Sequence, residues 1–182
     1  MYWCKTARYS TIALFSLLAA LYGCKPEVKQ SNGTLKYFNL SGYFKAEAIR
    51  LAKQRKPVLK TVSYNGQPET KNILIKNWTR ELDLLSGSDI NKAAWNDSYR
   101  IVKSDSAITY SAIDTNLRTR QIVIRLKAGK PASVVIDNFT KNMLYQTREK
   151  LVYYPDSVYR IEKHQHVKLL GVNNYQITEK FR

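Results

Sequence analysis

The chain changes its hydrophobic period once. Between residues 41 and 54 apolar positions recur at helical spacing, with Phe44, Ala48, Leu51 and Ala52 on one stripe. Lys45, Arg50, Lys53 and Arg55 fall mostly off that stripe. Ser41 is the expected N-cap, and Lys56-Pro57 is the expected stop, because a residue before proline avoids the α region. Alternating segments at 58–64 and 69–75 read as strands either side of Asn65-Gly66, a dipeptide that accepts positive φ at both turn positions. Pro68 is expected to lengthen that loop. Asn77 then caps a second helix that carries Trp78, Leu82 and Leu85 on one face, with Gly87 interrupting it and a short helical piece at 90–95.

From Tyr99 the period is two. Strands are expected at 99–103, 107–113, 118–127, 133–137, 143–154, 157–168 and 172–180, separated by turn residues such as Ser104-Asp105, Gly129-Lys130-Pro131 and Pro155-Asp156. No helix-sized gap lies between them, so the connections suit an antiparallel meander. The expected fold class is α+β: N-terminal helices and a hairpin followed by a curved antiparallel β-meander packed on the helices.

The first residues follow a different rule. Lys5 and Arg8 precede an uncharged apolar run from Thr11 to Leu21, and the run ends at Leu21-Tyr22-Gly23-Cys24. It falls short of the ~20 residues that span a bilayer. A basic region followed by a short apolar one is the pattern of an export signal. The ending resembles the lipobox of bacterial lipoproteins, with Leu21 three places before the cysteine and the small Gly23 just before it. That resemblance implies cleavage before Cys24, a diacylglyceryl group on its thiol and an acylated new amine, and hence a stable membrane anchor. Lys25 stands where an Asp would favour the inner membrane in such proteins, so the resemblance points to the outer membrane of the cell envelope. The expected organisation is a signal at 1–23, a lipidated cysteine and tether at 24–39, and a single domain at 40–182.

Charge and cysteine content refine this picture. Cys4 and Cys24 are the only cysteines, so a mature domain would have no disulfide and would rest on packing. The chain carries 30 basic and 14 acidic residues, a net +16. Such an excess favours anionic partners. For an exported protein these are anionic lipid or glycan, or an acidic protein face, and no nucleic acid is expected. The densest basic stretch holds Arg118, Arg120, Arg125 and Lys127, and Tyr153 and Tyr154 lie among the many strand tyrosines. Together these six residues are the candidate partner surface. Arg118 and Arg120 share one strand face and Arg125 and Lys127 the other, so they form one patch only if the strand is bulged or at an edge.

Catalytic signatures are absent from the sequence. A mature chain would have no free thiol, and there is no Gly-x-Ser-x-Gly and no phosphate-cradling glycine loop. Glu162, His164 and His166 fall on one strand face, but alternate strand positions span too far to close round one ion unaided, so no metal site is expected. No cofactor is expected either. The favoured reading is non-catalytic binding. A carrier would instead need a cavity between sheet and helices, lined by Phe44, Leu51, Trp78 and Leu82. An enzyme would need a cleft with at least one strongly perturbed acid or histidine. Asp105-Ser106-Ala107 and Asp156-Ser157-Val158 resemble the Asp-Ser/Thr-apolar acceptor of an O-glycosylation system in some Gram-negative envelopes, which would make Ser106 and Ser157 modification sites.

Overall fold

A computed structural model describes residues 35–182. The expected signal, the lipobox, Cys24 and most of the tether lie outside the described residues. Helix α1 spans Leu40–Gln54 and buries Leu40, Phe44, Ala48 and Leu51. Its cap is Asn39, whose Oδ1 accepts from Gly42 N at 2.7 Å. Ser41, the expected cap, instead donates its backbone N–H to Asp89 Oδ2 at 2.7 Å, tying the helix to a later loop. Arg55 takes the left-handed conformation at φ 49° and closes the helix.

Strands β1 (Val58–Tyr64) and β2 (Gln67–Ile73) form a tight hairpin. Asn65 and Gly66 sit at φ 47° and 86°, the pair of positive values a two-residue turn requires. Pro68 does not lengthen the loop. It lies in β2, which is an edge strand, where a missing N–H costs no ladder bond. Two single-turn helices follow, α2 (Trp78–Glu81) and α3 (Asp83–Ser86), the first capped by Asn77 Oδ1 on Arg80 N at 3.0 Å. A 3₁₀ turn covers Ala93–Trp95.

The remaining chain is strand: β3 (Tyr99–Lys103), β4 (Ala107–Ala112), β5 (Thr119–Lys127), β6 (Lys130–Lys141), β7 (Tyr145–Tyr154), β8 (Val158–Val167) and β9 (Gly171–Phe181). These seven pair in chain order, each antiparallel to the next. The N-terminal hairpin does not stand apart. β1 pairs with β9, from Val58 opposite Phe181 to Tyr64 opposite Tyr175, so one nine-stranded sheet runs β2-β1-β9-β8-β7-β6-β5-β4-β3. The architecture is therefore a large antiparallel sheet with few helices.

The core lies on one face of that sheet. Tyr110, Ile122, Ile124, Val134, Ile136, Leu151, Tyr153, Tyr159 and Ile161 meet the α1 stripe and Trp78, Leu82, Leu85 and Ile90. Phe44 packs edge-on to Tyr153 at 5.2 Å between ring centroids, and Trp78 lies 5.7 Å from Phe181. Phe44, Leu51, Trp78 and Leu82, the candidate cavity lining, are buried members of this core. Residues 36–39, expected in the tether, belong to the domain. Tyr37 is buried, and its hydroxyl donates to the carbonyls of Trp95 and Asn96.

Candidate functional site

Strand residues alternate between faces, so the positions between the core residues form a second face. No described element packs on it. Register aligns its side chains in rows across the strands. One row runs Gln121, Asp137, Lys150, Glu162, Gln176 and Ser63. A second runs Phe139, Arg148, His164 and Asn174. Between β1 and β6 these rows form the walls and floor of an open groove of about 730 Å³.

Phe139 is the centre of the groove's basic end. The Arg120 guanidinium lies 5.1 Å from its ring centroid and that of Arg148 lies 5.7 Å away, both within cation–π range. Arg120 reaches this side because β5 shifts register between Thr119 and Gln121, an irregularity that turns Thr119 into the core. Neither guanidinium is within ion-pair distance of a carboxylate among the described residues. Two cations are thus held in place by an aromatic plate and left with hydrogen-bond donors to offer. His164 is oriented by Asn174, Nδ1 to Oδ1 2.5 Å, and Asn174 is fixed in turn by its backbone N–H on Asn65 Oδ1 at 2.8 Å.

The six surface residues read from the sequence scatter. Arg120 lines the groove. Arg118 turns to the other side, where it meets Glu149 at 2.9 Å, and Glu149 also accepts from Asn138. Arg125 and Lys127 are exposed toward the far end of β5, beside the Ala128-Gly129 turn. Tyr154 is exposed on the groove face, but Tyr153 is a core residue, fully buried with its hydroxyl donating to Glu47 Oε2 at 2.5 Å. Its place on the surface is therefore corrected: with Leu151 facing inward, residue 153 must follow it. Phe139, Arg148, Lys150 and the Asn/Gln positions were not singled out. The alternation could have found Arg148 and Lys150 opposite Leu151 and Tyr153, but Phe139 lies beyond the strand expected at 133–137. Ser106 and Ser157 are both exposed at turns.

A second polar cluster lies on the core face. Lys60, Glu179 and Tyr159 are neighbours across β1, β9 and β8. Lys60 Nζ lies 2.7 Å from Glu179 Oε1 and 2.6 Å from Glu81 Oε1 on α2. Glu179 is 0% exposed. Burial, and then its contact with Glu81, push its carboxyl up to about 7 against the pull of Lys60. Burial opposes ionisation of Glu81 too, but its contacts with Glu179 and Lys60 hold it below the ordinary carboxylate value. Lys60 is raised: burial lowers it, and the two carboxylates more than compensate. The Tyr159 hydroxyl is buried without a hydrogen-bond partner and burial raises its pKa, with Glu179 adding to the shift. Such a group of shared protons has the chemistry of an acid–base site. The cavity of about 490 Å³ beside it, however, is lined by Glu81, Arg80, Leu84 and Ile161 and not by Glu179. Phe44, Leu51, Trp78 and Leu82 line neither this cavity nor the groove. Comparison of the chain with protein-family models, with curated proteins and with solved structures found no match.

Proposed function

We propose that this is a lipid-anchored cell-envelope protein with a non-catalytic role, and that its groove face binds an extended anionic partner, an acidic glycan. The observation that supports this most is the Arg120–Phe139–Arg148 stack, two guanidiniums positioned by one ring and without carboxylate partners among the described residues. Arginine presents a planar fork that matches a carboxylate in two hydrogen bonds. The exposed ring edge and the amide rows of Gln121, Asn174 and Gln176 suit the apolar faces and hydroxyls of sugars. Cut before Cys24, the chain loses Lys5 and Arg8 and keeps 28 basic and 14 acidic residues, a net +14, which draws such a polymer in with an attraction that salt screens.

Affinity electrophoresis through polygalacturonate, a carboxylated glycan, against neutral dextran tests this reading. The protein should be retarded by the first and not by the second. Arg148→Ala and Arg120→Ala should each weaken retardation about tenfold, the loss of one charged hydrogen-bonding group, with folding unchanged. Equal retardation of the variants and the parent would overturn the site.

The alternative of a carrier gains nothing from the core, where the four expected lining residues pack against their neighbours. An acid–base enzyme keeps one supporting feature, the raised carboxyl of Glu179, but that side chain is sealed from solvent. We read its cluster as the tie that fastens α2 to the sheet.

A further inference from the structure

Large apolar side chains on this domain are mostly covered, with one concentrated exception. Met143 and Leu144 in the β6–β7 turn are 83% and 69% exposed, and Leu169 and Leu170 in the β8–β9 turn are 94% and 78% exposed. The two turns touch: Lys168 donates its backbone N–H to the Leu144 carbonyl at 3.1 Å. Val172, also exposed, continues the patch onto β9.

These are built turns. Asn142 Oδ1 accepts from both Leu144 N and Tyr145 N at 2.9 Å, and Leu170 N donates to the Val167 carbonyl at 3.1 Å. The backbone is satisfied from within, so the side chains are held out into solvent by the fold itself. Four neighbouring apolar residues at that exposure are an interaction surface in waiting.

Charge says what kind of surface would cover them. Residues 140–148 and 163–175, which form the two turns and their flanking strand ends, contain no Asp or Glu. They carry Lys141, Arg148, Lys163 and Lys168. Lys141 and Lys168 directly adjoin the two turns, and apolar side chains flanked by such cations fit the interface of an anionic bilayer, where the first enter the acyl boundary and the second meet headgroups. An apolar protein partner would have no use for the flanking lysines.

Chain direction says the same. In an up-and-down sheet alternate turns gather at one end, so the turns 113–118, 142–144 and 168–170 share an end with the start of β3. Lys36, beside the first described residue, is ion-paired at 2.6 Å with Asp97, two residues before β3. The described chain therefore begins, at Leu35, on the end that carries the apolar turns.

We propose that turns 142–144 and 168–170 form a lipid-seeking tip that docks the domain end-on onto an anionic membrane surface, with the groove face standing upright from it. The tip uses the anchor of the proposed function only for delivery, and the test separates the two.

The test is positional and uses the full chain. In a Cys4→Ser background, Leu170→Cys is labelled with an environment-sensitive fluorophore, Lys130→Cys, at the opposite end of the sheet, serves as the control, and the Cys4→Ser chain with no added cysteine, labelled in the same way, gives the signal of any unacylated Cys24 to be subtracted. The protein is placed on vesicles of phosphatidylglycerol and phosphatidylcholine that carry a nitroxide-labelled lipid. Roughly half of the emission at residue 170 should be quenched, and close to none at residue 130, because interfacial insertion reaches only ~5–10 Å into the bilayer. With the label moved to Met143→Cys, the further change Leu169→Ser/Leu170→Ser should reduce the fraction inserted about tenfold, as expected for the loss of two apolar anchors. Both leucines are exposed, so folding is unaffected.

Equal quenching at 170 and 130 overturns the proposal. So does equal quenching on phosphatidylcholine alone, which removes the role of the cations. A shift at 170 that grows with protein concentration and needs no vesicles would show the tip covered by a second copy, and overturns it as well. Intact mass reports the anchor separately. Acyl chains with an unquenched tip sink this inference alone, and a quenched tip on an unacylated chain sinks the anchor alone.

Discussion

The two faces of the sheet use the same residue types to opposite ends. On the covered face Lys60, Glu179 and Tyr159 sit side by side, enclosed by α2 and the core. On the groove face Asp137, Lys150 and Glu162 do the same, in contact with water. Acid beside lysine is a structural element in the first case and an available group in the second. The difference is hydration. Removing water makes each buried charge dependent on its neighbour, whereas exposed pairs contribute ~0–1 kcal/mol and can exchange partners. A single-residue step along a strand therefore separates what holds this protein together from what it offers to others.

The largest effect expected from breaking that contrast is at Lys60. Lys60→Met leaves the buried Glu179 and its neighbour Glu81 without the lysine between them and should cost about 3–5 kcal/mol. Lys150→Met, on the other face, should stay within ~0.5 kcal/mol. Urea unfolding of the two variants measures both, and equal losses would erase the distinction. Next comes an apolar pair on adjacent positions of β7. Leu151→Ala should cost about 2–5 kcal/mol through the cavity it leaves, and Val152→Ala, half-exposed, at most about 1 kcal/mol.

Acidity sharpens the comparison further. The folded state holds the Glu179 proton up to about 7, whereas the unfolded chain releases it near 4.5. Between these values the folded state binds more protons, so stability falls as pH rises through that window, by about 3 kcal/mol. Glu179→Gln should flatten the slope, which denaturant midpoints across the window would reveal. Glu81, held below its ordinary value, acts in the other direction, and its contribution is lost as pH falls through its folded pKa. The smallest stability effect belongs to Arg148→Ala. It should change unfolding by no more than ~0.5 kcal/mol while it weakens glycan retardation about tenfold, so that function and stability part on one face as they cannot on the other.

Local signals made most of the strands readable. The segments at 58–64 and 99–103 coincide with β1 and β3, because alternation and turn chemistry act over a few residues. Non-local events were not readable. Pairing of β1 with β9 depends on two segments at opposite ends of the domain, and neither carries a mark of the other. The cap is Asn39 and not Ser41 because the helix begins at Leu40, which puts Ser41 inside the first turn, where its unpaired N–H is met by Asp89 from another loop. The groove was half legible. Its basic residue Arg120 stood out by composition, and the shared face of Glu162 and His164 followed from period two. Its aromatic plate did not, since Phe139 lies in the part of β6 that continues past 137, where the strand was expected to end. Tyr153 and Tyr154 looked alike in sequence, and only a fixed register sends one inward and the other out.

The junction of the first strand with the last also sets an order of events in time. A chain emerging from its N-terminus presents β1 and β2 first, as a lone two-stranded ribbon, which is marginal in water. The ribbon's neighbour β9 is the final segment to appear. Lys60 and Glu179, and with them the fastening of α2, cannot assemble until synthesis is essentially finished. The beginning of the domain therefore stays loose while the rest is made. On the proposed function, in which the chain is exported front end first, late closure would keep the leading segment in a form that can pass.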